Sequence, residues 1–152
     1  MNKILVLTFF TFSLLSFAQQ PESKIYDCNK LTMQGKDGKS AFKDHRAFTG
    51  KCLTKNTEGT VTEERNYTNG QLNGEVKQFD LEGNLKEITM YSVNIKHGKY
   101  VLYNTSGTPI IEGHYKNKLK DGPWKYYDKD SGELIKTTDF DFGKAHLTDN
   151  KM

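Results

Sequence analysis

The sequence has 152 residues, 22 Lys or Arg against 19 Asp or Glu, and a formal net charge of +3. That balance excludes the strongly basic footprint of a nucleic-acid binder and gives no strong attraction to anionic lipid. Apolar residues make up only 35% of the chain and aromatics 12%, so the core is thin and rests on large rings, which suits a ribbon of sheet within one domain.

The N-terminus comes first. Lys3 supplies a short positive region, Ile4 to Phe17 an uncharged apolar run, and Ser16-Phe17-Ala18 the small residues that precede a cut before Gln19. This is the pattern of a secretory signal peptide over residues 1–18. The run is shorter than the ~20 residues that span a bilayer, so stable membrane insertion of the mature chain is not expected. The expected location is outside the cytoplasm, in the periplasm, on the cell surface or secreted.

Residues 19–49 are expected to form a divergent capping segment over the first sheet edge, with Lys36-Asp37-Gly38-Lys39 as a hairpin turn. Cys28 lies 24 residues before Cys52. An even cysteine count in an exported chain favours a Cys28–Cys52 disulfide. Strictly equivalent positions in adjacent hairpins would, however, lie two strands apart, roughly 9.5 Å. A bridge spans no more than about 7 Å between Cα atoms. The bridge therefore requires an irregular first unit, and two buried free thiols are the alternative.

From residue 50 the chain is periodic. Gly50, Gly74, Gly98 and Gly122 are spaced by 24; Gly59, Gly83, Gly107 and Gly132 by 24, 24 and 25; and Tyr67, Tyr91, Tyr115 and Phe140 likewise by 24, 24 and 25. The shared 25 places one extra residue in Asp128-Lys129-Asp130-Ser131-Gly132. Each unit reads as strand, tight turn, strand, tight turn. Asn or Asp followed by Gly (Asp80, Asn104, Asp128) closes one end. Asn69-Gly70, Asn73-Gly74, His97-Gly98 or Asp121-Gly122 is expected to close the other. Four β-hairpin repeats are thus expected over residues 50–143, with a tail over 144–152. The fold predicted is an all-β solenoid of tandem hairpins with no helix outside the signal peptide. Alternation puts Cys52, Val76, Tyr100 and Trp124 on one face together with Gln78, Leu102 and Tyr126, whereas Phe79, Tyr103 and Tyr127 point the other way.

Tyr115-Lys-Asn-Lys-Leu-Lys-Asp-Gly122-Pro-Trp-Lys-Tyr-Tyr127-Asp and Tyr67-Thr-Asn-Gly-Gln-Leu-Asn-Gly74 resemble the bacterial MORN-repeat variant, which also occurs in the group called YwqK-type antitoxins. The resemblance covers roughly residues 48–143 and is strongest in the last unit. It implies an open, twisted antiparallel sheet of stacked hairpins that acts as an interaction scaffold.

Nothing in the residues reads as a catalytic, cofactor or metal site. His45, His97, His114 and His146 lack ligand spacing. Asp128-x-Asp130-x-Gly132-Glu133 lacks the distal ligands of a calcium loop and matches sister hairpin loops. Glu63 and Glu64 point to opposite faces and form no dyad, which leaves a hydrolase built on Glu64 or Asp139 remote. The candidate binding surface is aromatic: Tyr100, Tyr103, Trp124, Tyr126 and Tyr127, with cross-strand packing as the plainer role of these rings. The expected function is non-enzymatic, an exported scaffold for a protein or an envelope polymer. An antitoxin- or immunity-like protein that binds one toxin is the alternative.

Overall fold

The fold was analysed in a computed structural model, which describes residues 25–35 and 39–146. The expected signal peptide over residues 1–18, residues 36–38 of the expected N-terminal turn and residues 147–152 of the expected tail lie outside the described residues; the first three residues of that expected tail, Lys144–His146, instead form a last strand of the sheet.

The chain is all-β. Its only helical feature among the described residues is a single 3-10 turn, Cys28–Lys30. The array strands are β5 (Gly50–Lys55), β6 (Val61–Thr68), β7 (Gln71–Phe79), β8 (Leu85–Ser92), β9 (Ile95–Tyr103), β10 (Pro109–Lys116), β11 (Leu119–Lys120), β12 (Gly122–Tyr127), β13 (Leu134–Asp141) and β14 (Lys144–His146). They pair antiparallel in chain order within one 11-stranded open sheet, and β11 sits beside β10 at the start of what is in effect an interrupted β12. An isolated hairpin is marginal in water; here each one borrows a neighbour on either side.

The two turn ends of the units differ. At one end an Asx residue organises the loop. Asn56, Asp80, Asn104 and Asp128 each accept backbone N–H groups on the side-chain oxygen. The glycine that follows sits at positive φ, 74–88° across the four loops, where it donates to the carbonyl of the same Asx residue.

The other end departs from expectation except at Asn69-Gly70. The turns fall at Asn69-Gly70, Val93-Asn94, Asn117-Lys118 and Phe142-Gly143, both central residues having positive φ, as in a two-residue hairpin turn of the primed type. Asn73-Gly74, His97-Gly98 and Asp121-Gly122 are not turns. They are bulges in which three residues face one on the neighbouring strand. Between Arg65↔Val76 and Tyr67↔Leu72, only Asn66 opposes residues 73–75, and β8–β9 repeats this around Met90. The glycine is required at the bulge, since a Cβ on Gly98 would come within 2.9 Å of the Met90 Cβ. Bulges of this kind bend a strand and add twist.

A second column of hydrogen bonds ties unit to unit. The N–H of Gly70, Asn94, Lys118 and Gly143 donates to the carbonyl of Phe48, Leu72, Lys96 and Lys120 respectively, at 2.7–2.9 Å. Each primed turn is thereby fixed to the start of the previous unit.

The N-terminal segment does more than cover an edge. β1 (Tyr26–Asp27) pairs with β5 and runs parallel to it, Tyr26 opposite Cys52. This breaks the all-antiparallel pattern. β2 (Thr32–Gln34), β3 (Ser40–Lys43) and β4 (Arg46–Ala47) make a separate three-stranded sheet. That sheet leans on one face of the array: Ala41 N–H donates to Gly70 O, and Gly70 N–H in turn donates to Phe48 O, both at 2.7 Å. Ala41, Phe48, Cys52 and Tyr67 form the core beneath it. Cys28 and Cys52 are joined as a disulfide with Cα atoms 5.0 Å apart. Their equivalence in sequence does not carry over into space, because β1 enters directly beside β5 where an earlier hairpin would stand.

Candidate functional site

The register defines two unequal faces. One, here the groove face, carries Cys52, Tyr67, Val76, Thr89 and Trp124, all buried; on the other, only Val101 is buried. Tyr100 and Tyr126 lie on the groove face with Trp124, whereas Tyr103 and Tyr127 lie on the back. The five candidate aromatics therefore do not form one surface.

Trp124 is a packing residue. Its ring is 2% exposed, stacks on Tyr100 at 5.2 Å, and meets Tyr115 and Phe140 edge-on at 5.1 and 6.1 Å. The indole N–H donates to His114 O at 3.1 Å, so the ring's one polar atom is satisfied. The space for the ring comes from Gly113 on the facing strand, where any Cβ would overlap the indole. Lys120 Nζ sits 4.1 Å above the indole and 4.9 Å above Phe140.

Next to this cluster the groove face forms a groove of about 530 Å³. Met33 of β2 and Lys39, just before β3, wall one side. The floor is laid by alternate residues of β6, β7 and β8: Glu63 and Arg65, Val76 and Gln78, Glu87 and Thr89. Tyr91, Asn94, Lys96 and Lys118 close the far end. The floor repeats because one residue of each strand faces up every second position, and the 24-residue period stacks like positions side by side.

Both floor carboxylates are engaged. Arg65 reaches Glu63 at 2.6 Å. Thr89 Oγ1, on a residue 2% exposed, donates to Glu87 Oε1 at 2.7 Å, and the Tyr100 hydroxyl donates to Glu87 Oε2 at 3.3 Å. Burial, then the negative charge of Glu87, pushes the hydroxyls of Tyr91, Tyr100 and Tyr115 up from their ordinary value. Glu87 is thus the electrostatic centre that three tyrosines share. On the back, the Tyr127 hydroxyl donates to Glu112 at 2.7 Å, and its pKa is raised chiefly by that hydrogen bond.

The five candidate aromatics are not among the residues lining the groove, whereas Arg65, Glu87, Thr89 and Lys96, which do line it, were outside the expected surface. The signal was present: Glu63 and Glu87 are 24 apart and alternate onto the same face as Val76. It is silent, however, about the cap that turns this face into a groove. Glu64 and Asp139 fall on the back, away from it.

A protein-family model described as MORN repeat variant matches residues 72–92 and 96–117. These segments are the β7–β8 hairpin, which lays part of the groove floor, and the β9–β10 hairpin, which supplies Lys96 at its far end. The last unit, with its extra loop residue, lies outside the matched segments. Neither a curated protein nor a solved structure matches the chain significantly. Residues 72–92 and 96–117 thus carry MORN-variant repeats, and two adjoining hairpins of the open sheet are the structure they build.

Proposed function

We propose that this protein is an exported, non-enzymatic interaction module that holds a partner in the groove between its N-terminal sheet and the hairpin array. One observation carries the reading. The groove is walled by two different sheets and floored by repeated positions, and both of its floor carboxylates are engaged by neighbouring side chains. A surface of that kind offers contact area and fixed polar groups, as a recognition groove does. MORN repeats are generally interaction modules and typically non-catalytic, which supports the same reading. The apolar leader over residues 1–18 and the Cys28–Cys52 bridge support export, since disulfides persist in oxidising compartments.

The test is capture by the purified protein from an envelope fraction, compared with two variants. Gln78 is exposed on the groove floor, and Lys125 is exposed on the back. Gln78→Trp should abolish capture while Lys125→Trp leaves it intact. Capture that survives Gln78→Trp overturns the groove as the partner site. A single stoichiometric toxin would favour the immunity reading over a scaffold. Cell fractionation checks export, and full-length protein held in the cytoplasm with residues 1–18 attached overturns that part.

A further inference from the structure

We infer that the groove face from β9 to β13 binds an acidic, extended segment of a partner polypeptide, an inference that rests on the groove being the partner site. The charge distribution carries it. Between β9 and β13, every charged side chain in ladder register on this face is a lysine: Lys96, Lys120 and Lys136. Lys118 joins them from its turn, where its N–H donates to Lys96 O, and its side chain lines the groove beside that of Lys96. Among the described residues none of the four makes an ion pair. The carboxylates nearest in sequence on the same face, Glu63 and Glu87, are held by Arg65 and by Thr89 and Tyr100. On the back, Glu64 bonds Lys51 and approaches Lys77, Glu75 bonds Lys77, and Glu112 stands opposite Lys125. Carboxylates therefore intersperse the lysines of the back, whereas on the groove face the ladder carboxylates Glu63 and Glu87 stand on β6 and β8, outside the lysine row of β9 to β13.

The geometry narrows the partner. Lys96 stands 5.3 Å over Tyr115, Lys120 4.1 Å over Trp124, and Lys136 4.9 Å over Tyr126. The ring faces are covered by ammonium groups, so stacking of a sugar ring on them is blocked. What remains is a row of cations on an apolar bed, where attraction for an anion exceeds that in bulk water. At its Lys96–Lys118 end the row enters the groove walled by Met33, which admits a chain segment and not a flat bilayer. Carboxylate side chains on an extended segment satisfy all of these features, with charge-assisted hydrogen bonds to Nζ.

The probe is a fluorescein-labelled peptide of alternating glutamate and serine, read by anisotropy at low and at physiological salt. The peptide should bind, weaken as salt rises, and lose about tenfold in affinity with Lys96→Gln plus Lys120→Gln. The same peptide with glutamine for glutamate should not bind. Lys99→Gln plus Lys125→Gln, which removes equal charge from the back, should leave binding unchanged. The inference is overturned by equal binding of the glutamine peptide, by equal loss with the back-face pair, or by no binding of the acidic peptide. Binding only to phosphatidylglycerol vesicles, with no binding of the peptide, also overturns it. If the peptide fails while Gln78→Trp still abolishes partner capture, the groove stands and only the acidic class is wrong.

Discussion

Gly113 and Trp124 fit as a pair: the indole occupies the space that any Cβ at residue 113 would take. Trp124 is the largest fully buried side chain, and a glycine inside a strand otherwise weakens it. The two residues are therefore coupled. Trp124→Ala should cost about 3–5 kcal/mol in denaturant unfolding. Gly113→Ala should cost about 1–3 kcal/mol by overpacking. In the background of Trp124→Leu the cost of Gly113→Ala should shrink, and additive costs would separate the two positions.

Much of this fold was legible in the sequence, and the parts that were not have physical reasons. The period and the Asx-Gly loops were readable because they depend on single residues with strong local preferences, such as Asn56 and Gly59. At the opposite end Asn69-Gly70 was placed correctly, but the next two turns were expected four residues too late, because His97-Gly98 and Asp121-Gly122 look more like turn pairs than Val93-Asn94 and Asn117-Lys118 do. Glycine marks positive φ equally well in a turn and in a bulge, and only pairing with the next strand decides which. The Cys28–Cys52 bridge depended on β1 running parallel beside β5, a long-range fact with no local signal. The groove depended on the N-terminal sheet folding over the face, which alternation along β6 to β8 cannot reveal.

The coupling also limits how far units can be exchanged. Deletion of residues 98–121 brings Thr89 into the place of Gly113, opposite Trp124, since Thr89 and Gly113 are 24 apart. Deletion of residues 74–97 keeps the Gly113–Trp124 pair. Both shortened chains should retain β-type circular dichroism, because repeat units depend mainly on their neighbours. The 98–121 deletion should melt at the lower temperature; equal melting points would show that the pair does not limit the array.

The disulfide closes a loop of 24 residues between Cys28 and Cys52. Loop-closure entropy assigns it about 3.5 kcal/mol. Cys28→Ser plus Cys52→Ser should remove a stability of that order. The effect should be local in hydrogen exchange, faster in β1 and β5 and unchanged in β10 to β13. Uniform acceleration across the sheet would mean that the cap holds the whole array.

The Tyr100 hydroxyl is held above its ordinary pKa by burial and by Glu87. A group whose folded pKa is raised contributes stability that is fully present below its unfolded pKa, about 10 for tyrosine. That contribution is lost as pH rises through the folded value. Alkaline titration of tyrosinate absorbance should show a late component that Tyr100→Phe removes, and the variant should lose less stability above pH ~10 than the parent. A titration indistinguishable from that of the variant would remove Tyr100 from the Glu87 cluster.

Val93 opens a primed turn at φ 50° and Asn94 follows at 63°. A β-branched residue in the left-handed region pays a backbone penalty of roughly 1–2 kcal/mol. Asn69 and Asn117 occupy the equivalent place in the units on either side, at φ 49° and 51°, where a short polar side chain tolerates that conformation. Val93 is also 52% exposed, so replacing it forfeits little packing. Val93→Asn should therefore raise unfolding stability by about 1 kcal/mol. It should leave intact the bonds that fix this turn to the previous unit, from Asn94 N–H to Leu72 O and from Leu72 N–H to Asn94 Oδ1. Thermal melts of the variant and the parent decide the matter: a drop in stability would mean that the Val93 side chain contributes packing that outweighs its backbone strain.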